Sequence, residues 1–435
     1  MLSGQDFIII SSVEWNFLWQ GPQEIAARLA RAGNRVLYIE NTGVRSPKWE
    51  DARRVRQRVT RWAGAAVRSG VRQIEPNLFV CSPLVMPPFG APWQETLNRR
   101  VLLKAIAQAA GSLALRDPVL WSFLPTNTAN DIIRLLRTPR SLILYYCVAD
   151  FAQLASDPLR LAQSERELIE MSDVVFAQGP ELAEHCSRAL NKVRIVPYGV
   201  DLELFSNRDT AAIESSHAGN AQQLSLLRDL KRPIIGYVGG VHRHVDIDLL
   251  EAMARSRSNW SWVYVGPIQT KATKLNRLEN VYLFGHRPHR ELPNYLAQFD
   301  VCTVPYMSSA YTSTVVPTKI NEYLAMGKPV IATPLPSVCE FNRQHDVMSI
   351  ADTKPPSFIR AIEHALASPG DRATTERRRH VAALSDWRMR LETISGWLED
   401  ALNALKSSHE AIEDGAKMVA GSVDTSPAET ILDNR

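Results

Sequence analysis

The chain has 435 residues, 45% of them hydrophobic and 22% charged, with a net charge of +4. That balance is ordinary for a soluble globular protein and excludes a wholly disordered chain, and the length suits two or three domains. The mild positive charge is by itself no argument for nucleic acid. The five cysteines (Cys81, Cys147, Cys186, Cys302, Cys339) are scattered with no C-x-x-C pair. Neither a metal site nor a disulfide framework is expected from them, and a reducing cytoplasm fits.

The opening Met-Leu-Ser-Gly-Gln-Asp lacks a basic n-region, so Phe7–Ile10 reads as a first strand and not as a signal peptide. No stretch approaches the ~20 apolar residues that cross a bilayer. A helix over Gln23–Ala32 ends at Gly33, a suitable C′ residue. Strands follow at Arg35–Ile39, Leu78–Cys81, Val119–Ser122, Leu142–Cys147, Val174–Ala177 and Val193–Val196. Helical patterns lie at Gln94–Leu115, Thr128–Leu136, Ala162–Met171 and Glu181–Leu190. Alternation of this kind builds a parallel sheet covered on both faces.

Pro197–Asp201 breaks the rhythm, and the polar stretch from Ser206 to Arg232 reads as a surface connection or an inserted helix. The pattern restarts with strands at Ile234–Val238, Trp260–Val265, Val281–Phe284, Val301–Val304 and Val330–Ala332. The helices between and after them are Asp248–Arg255, Glu291–Ala297, Thr318–Met326 and Ser357–Ala367. The fold class is therefore α/β with two doubly wound domains, 1–200 and 201–375. A helical pattern over 376–406 is expected to return to the first domain, and the polar tail 407–435 reads as disordered.

Pro317–Pro334 carries the strongest chemistry. Lys319 and Glu322 are three residues apart and share one face of a helix's first turn. A helix start suits phosphate, Lys319 adds full positive charge, and Glu322 offers an acceptor for ribose hydroxyls. Ile234–Gly240 is an apolar strand running into Gly239 and Gly240, where a ligand can approach the backbone closely; Arg243 follows. Such glycine turns are also common without a ligand. The Gly285–Pro293 loop, with His286 and Arg287, reads equally as a base-recognition loop and as a plain connection. The hydroxyl-rich stretch Tyr306–Val316, including Thr314 and Val315, leads directly to Thr318 and Lys319 and reads as part of the donor site.

In the first domain, Trp19, Gln20 and Gln23 follow the first strand and suit a sugar acceptor: aromatic faces stack on pyranose C–H groups and amides bond hydroxyls. Buried core tryptophan is the commoner alternative. Asp150 closes another strand and is either a general base on an acceptor hydroxyl or a helix N-cap. Arg53, Arg54, Arg56, Arg58, Arg61, Arg68 and Arg72 flank apolar residues at helical spacing. That pattern fits an anionic membrane surface and fits equally a surface helix packed on its own domain. Without interleaved aromatics it does not suggest nucleic acid.

The residues in Ile235–Gly240 with Asp246–Leu250, Val281–Tyr306 and Pro317–Pro334 resemble the nucleotide-sugar domain of GT-B glycosyltransferases, in particular family 4-like enzymes of bacterial surface polysaccharide assembly. Trp15–Leu29, Val36–Glu40, Tyr146–Phe151 and Pro197–Phe205 are similar to the teichuronic-acid-type branch. The resemblance implies two Rossmann-like domains facing a cleft, Glu322 on the ribose, Lys319 near the diphosphate and Gly239–Gly240 beside the phosphates. Many relatives carry a second glutamate eight residues before the first, where this chain has Thr314. Arg243 is the substitute for their arginine–lysine pair.

The expectation is a metal-independent glycosyltransferase with no resident cofactor. Its donor is a nucleoside-diphosphate sugar, UDP-linked, and its acceptor a glycan or lipid-linked glycan at the inner face of the cytoplasmic membrane. Asp150 and Lys319 are the catalytic candidates. The donor set is Gly239, Gly240, Arg243, His286, Arg287, Thr314, Val315, Thr318, Lys319 and Glu322; the acceptor set is Trp19, Gln20 and Gln23. The alternatives are a nucleotide-sugar epimerase or hydrolase of the same fold, or a non-catalytic partner subunit.

Overall fold

The computed structural model describes residues 1–40, 70–83, 92–186, 192–206, 218–368 and 370–421. Eight strands form the first sheet: β1 (Asp6–Ser11), β2 (Arg35–Glu40), β3 (Val71–Glu75), β4 (Leu78–Cys81), β5 (Val119–Ser122), β6 (Ile143–Cys147), β7 (Val174–Ala177) and β8 (Val193–Ile195). Their order is β3-β4-β2-β1-β5-β6-β7-β8. Helices cover both faces, so the middle of β1 is apolar on both: Phe7 and Ile9 enter one core while Ile8 and Ile10 enter the other. The sequence reading missed β3, the antiparallel edge strand. It carries Arg72, Gln73 and Glu75 and is only partly buried, so it lacks the hydrophobic signal of the interior strands.

The second sheet has six strands: β9 (Ile234–Val238), β10 (Ser261–Val265), β11 (Val281–Gly285), β12 (Val301–Val304), β13 (Val330–Ala332) and the short β14 (Ser349–Ile350). The order is β11-β10-β9-β12-β13-β14, with every pair parallel. The chain steps outward from β9 in one direction and then resumes on its other side with β12. Ligands of open α/β sheets lie beyond the carboxyl ends of strands at such a switch point, which places the candidate site beyond Val238 and Val304.

The helical pattern expected over 376–405 is two helices, Arg372–Ala383 and Trp387–Gly421. The break serves the return to the first domain. The Val200 amide donates to Ser385 O at 2.8 Å and the Trp387 amide to Val200 O at 3.1 Å, so the two crossings between domains run side by side. Beyond the break, Trp387, Leu391, Ile394, Leu398 and Leu402 form one stripe buried in the first-domain core with Phe7, Trp121 and Phe176. The helix continues to Gly421, past the point where the tail was expected to lose order, and 422–435 lie outside the described residues. Of the arginine-rich segment only Arg72, in β3, lies within the described residues, so the membrane-surface reading of that segment falls outside them. Among the described residues no helix is long and apolar enough to cross a membrane.

Candidate active site

The site begins where β9 gives way to Gly239 and Gly240. Gly239 has φ of +135°, and its amide donates to Val265 O at 2.9 Å. A Cβ there would lie 3.0 Å from Lys319 Cε and 3.2 Å from the Tyr237 hydroxyl. Lys319 thus packs directly over the glycine turn. Its Nζ donates to the Tyr306 hydroxyl at 2.5 Å and stands 4.8 Å from the Tyr306 ring centre and 5.3 Å from that of Tyr237. The two tyrosines end β9 and follow β12, so the switch point itself fixes the ammonium, with ring quadrupoles stabilising its charge.

Two of the amides at the helix tip are engaged within the turn itself. The helix is short, Lys319–Ala325, and the Thr318 side chain does not cap it. The Ile320 and Asn321 amides donate to Pro317 O at 3.3 Å and Thr318 O at 3.2 Å. Positive charge here therefore comes from side chains more than from the helix end.

His242, Arg243 and His244 surround the same turn. The Arg243 Nε lies 3.2 Å from His244 Nε2, and the His244 amide donates to His242 Nδ1 at 3.2 Å. Burial pushes His242 down to about 3, with Lys319, His244 and Arg243 adding repulsion. His242 is thus neutral at pH 7. Because the unfolded chain takes up a proton near pH 6.5 that folded His242 refuses, this residue removes stability as pH falls from about 6.5 toward 3. A bound diphosphate is expected to raise the His242 pKa. The check is an NMR titration of its ring signals with and without pyrophosphate; an unmoved pKa places the anion elsewhere.

Glu322 lies three residues after Lys319 on the same helix. Its Oε1 lies 2.9 Å from His289 Nε2. Burial opposes charge on His289, but the hydrogen bond and charge of Glu322, with Glu24 and Asp201 beyond, outweigh it and raise the pKa. His289 stacks on Trp19 of the first domain, with centroids 6.5 Å apart and planes at 23°, and meets Phe205 edge-on at 5.3 Å. The Trp19 indole N–H donates to Glu24 at 2.5 Å. Glu24 pairs with Arg28, which reaches Asp201 at 3.2 Å. His289 therefore joins the Glu322 carboxylate to the first domain, a role hidden in sequence because its partners lie far away along the chain.

Other candidates have local duties. Gln23 is fully buried, and its amide donates to Glu14 O at 3.2 Å and Leu18 O at 3.0 Å while its oxygen accepts the Gln20 amide at 3.0 Å. It holds the loop and has nothing left for a sugar; Gln20 is exposed. Arg287 donates to the Tyr295 hydroxyl at 2.8 Å and to its neighbour His286 O at 2.6 Å, so it braces its own loop, while the His286 side chain is exposed. Asp150 accepts the Ala152 amide at 3.1 Å and so caps the turn Phe151–Leu154. The Thr314 hydroxyl donates to Tyr311 O at 2.9 Å, and Val315 O accepts the Ser337 hydroxyl at 2.6 Å. Gly240 is crowded by Gln269 Nε2 and Leu18 Cδ1, which would lie 3.0 and 3.4 Å from a Cβ. Leu18 brings the first-domain loop onto the glycine turn, and neither Leu18 nor Gln269 carried any signal in the sequence.

Residues 232–368, which contain all of the second-sheet elements above, match the family model described as Glycosyl transferases group 1. Over 235 residues the chain is 29% identical to TuaH of Bacillus subtilis (strain 168), a protein named as a glycosyltransferase of teichuronic acid biosynthesis; the match covers 52% of this chain and 57% of that relative. The chain thus spans a little over half the length of this curated relative. Across 92% of its residues and all of the other chain, the structure superposes on a sucrose-phosphate synthase from Thermosynechococcus elongatus with a TM-score of 0.67 at 17% identity. Anabaena Alr3699/HepE, solved with UDP and glucose, gives 0.61 at 13% identity over 90% of this chain and 99% of that one. The fold is the GT-B arrangement of two Rossmann-like domains.

Proposed function

We propose that this chain is a glycosyltransferase that moves a sugar from a nucleoside-diphosphate sugar, UDP-linked, to a glycan or lipid-linked glycan acceptor in bacterial surface polysaccharide synthesis. The observation that carries the reading is the cage at the second sheet's switch point. Lys319 and Arg243 gather positive charge at the Gly239–Gly240 turn, beside neutral His242, and Glu322 stands one turn further along the Lys319 helix. The TuaH name and the UDP bound to a protein of like fold support the same class of donor.

Breaking the bond between the anomeric carbon and the diphosphate oxygen leaves negative charge on the departing phosphate. Lys319 is held ready to offset that charge before the reaction starts. Arg243 is the second cation at this turn. These side chains supply the charge that a divalent ion supplies elsewhere, which supports a reaction without a metal or resident cofactor. Glu322 keeps Oε2 for a ribose hydroxyl while Oε1 meets His289. Asp150, with one oxygen engaged as a cap, would take the acceptor proton through the other. Catalysis at the cytoplasmic face of the membrane belongs to this proposal too, through the lipid-linked acceptor.

Thermal melts of the full chain with UDP, GDP and ADP test the donor class, since a ligand of the folded state raises apparent stability. UDP is expected to stabilise most, with or without Mg²⁺. Glu322→Ala is expected to weaken UDP binding by about 10- to 100-fold, the range for a hydrogen bond to a charged group. It should also erase any preference for UDP over 2′-deoxy-UDP. No stabilisation by any nucleotide would sink the proposal.

A further inference from the structure

The first domain holds a second cluster, which the proposed reaction does not use. Cys147 ends β6, Glu165 lies on the helix Pro158–Met171, and Cys186 caps the helix Pro180–His185. Both cysteines have no exposed surface and Glu165 is 3% exposed. One ligand atom from each of the three lies within 4.8 Å of the other two. Cys147 Sγ is 3.9 Å from Glu165 Oε1. Tetrahedral zinc with Zn–S of about 2.3 Å and Zn–O of about 2.0–2.2 Å sets its ligand atoms roughly 3.5–3.8 Å apart, so little movement is required.

The surroundings suit a ligating carboxylate. The Tyr145 hydroxyl donates to Glu165 Oε1 at 2.5 Å, and His185 Nε2 lies 2.9 Å from Oε2. Donors of this sort orient metal-bound carboxylates. The thiols, in contrast, are poorly served. Cys147 meets Ala149 O at 3.8 Å and Glu165 Oε1 at 3.9 Å, both long, and otherwise pairs with the second thiol, Cys186. Two thiols, a carboxylate and a phenol are more polar chemistry than a packed core requires. His185, with 35% of its side chain exposed, connects the cluster to solvent and marks an entry path.

We propose that Cys147, Cys186 and Glu165 form a thiolate–carboxylate site for a zinc-type divalent transition metal, separate from the donor site. Two S–H bonds break as two metal–sulfur bonds form, and both protons leave to buffer. The ion joins β6 to two helices, so its role is to brace the first domain. Two thiolates select zinc over magnesium or calcium. The inference stands apart from the proposed transferase activity, because its readout is metal binding alone.

The test is titration of the chelator-stripped full chain with Co²⁺. A sulfur-to-cobalt charge-transfer band is expected, saturating at one equivalent and bleached by Zn²⁺. Cys147→Ser and Cys186→Ser should each weaken the band, and Glu165→Gln should shift its visible spectrum while keeping the sulfur band. Absence of the band in the wild-type chain overturns the proposal whatever the variants do. So does a band that persists in the Cys147→Ser, Cys186→Ser double variant, since Cys81, Cys302 or Cys339 would then be responsible.

Discussion

Lys319→Met is expected to lower donor-dependent transfer by about 10²–10³-fold, the cost of removing one preorganised charge stabiliser, with the fold intact. The substitution is chosen for its shape. Methionine keeps an unbranched stem against the rings of Tyr237 and Tyr306, where sulfur packs favourably, and deletes only the ammonium. The loss should appear in kcat more than in KM. In the proposed reaction the lysine would meet phosphate charge in the bound donor and more of it as the glycosidic bond breaks, and only the difference accelerates the step. Removing Lys319 also takes away one of the charges that disfavour protonated His242, so the His242 pKa should rise in the free variant. That second readout separates a displaced lysine from a merely unfolded protein. Wild-type turnover at saturating donor would remove Lys319 from the mechanism.

What could be read from the sequence follows the range of the interactions. The shared helix of Lys319 and Glu322 was legible because their relation is local: three residues apart, then a Gly-Lys-Pro stop. The interior strands were legible because burial on both faces leaves nearly continuous apolar runs, as in Phe7–Ile10. His289 was not, because its meaning lies in a carboxylate 33 positions later and an indole in the other domain. Arg287 was the more conspicuous cation of that loop, yet it bonds to Tyr295 and to a neighbouring carbonyl within its own loop. Gln23 looked like a free amide beside tryptophans, but the loop before its helix requires both ends of that amide. The thiol–carboxylate cluster escaped for a related reason. Metal spacing rules read ligands close in sequence, whereas Cys147, Glu165 and Cys186 meet only when three elements pack. The loss of order expected after residue 406 failed because a helix can continue without a full hydrophobic face once its first turns are anchored, here by Trp387 to Leu402.

Gly266→Ala is expected to destabilise the chain by about 3–5 kcal/mol, in the range of overpacking and backbone strain combined, and to abolish nucleotide binding in whatever fraction stays folded. Gly266 follows β10 and has φ of +150°. A Cβ there would lie 2.0 Å from Gly239 O, 2.5 Å from Gly239 C and 3.2 Å from Gly240 N. These are backbone atoms, so no rotamer change relieves the clash. The two turns are also tied together: the Gly239 amide donates to Val265 O and the Val241 amide to Pro267 O, each at 2.9 Å. Relief therefore requires moving the Gly239–Gly240 turn away from β10, and with it the turn against which Lys319 packs. Gly285→Ala is the control. Gly285 has φ of +69° with nothing within 4 Å of its Cβ position, so it tests strain without contact and should cost about 1–2 kcal/mol while nucleotide binding survives. Denaturant melts and UDP titration of both variants decide the matter. If Gly266→Ala binds UDP as tightly as Gly285→Ala does, the glycine turn is not where the phosphates approach, and the charge gathered by Lys319 and Arg243 must serve another ligand.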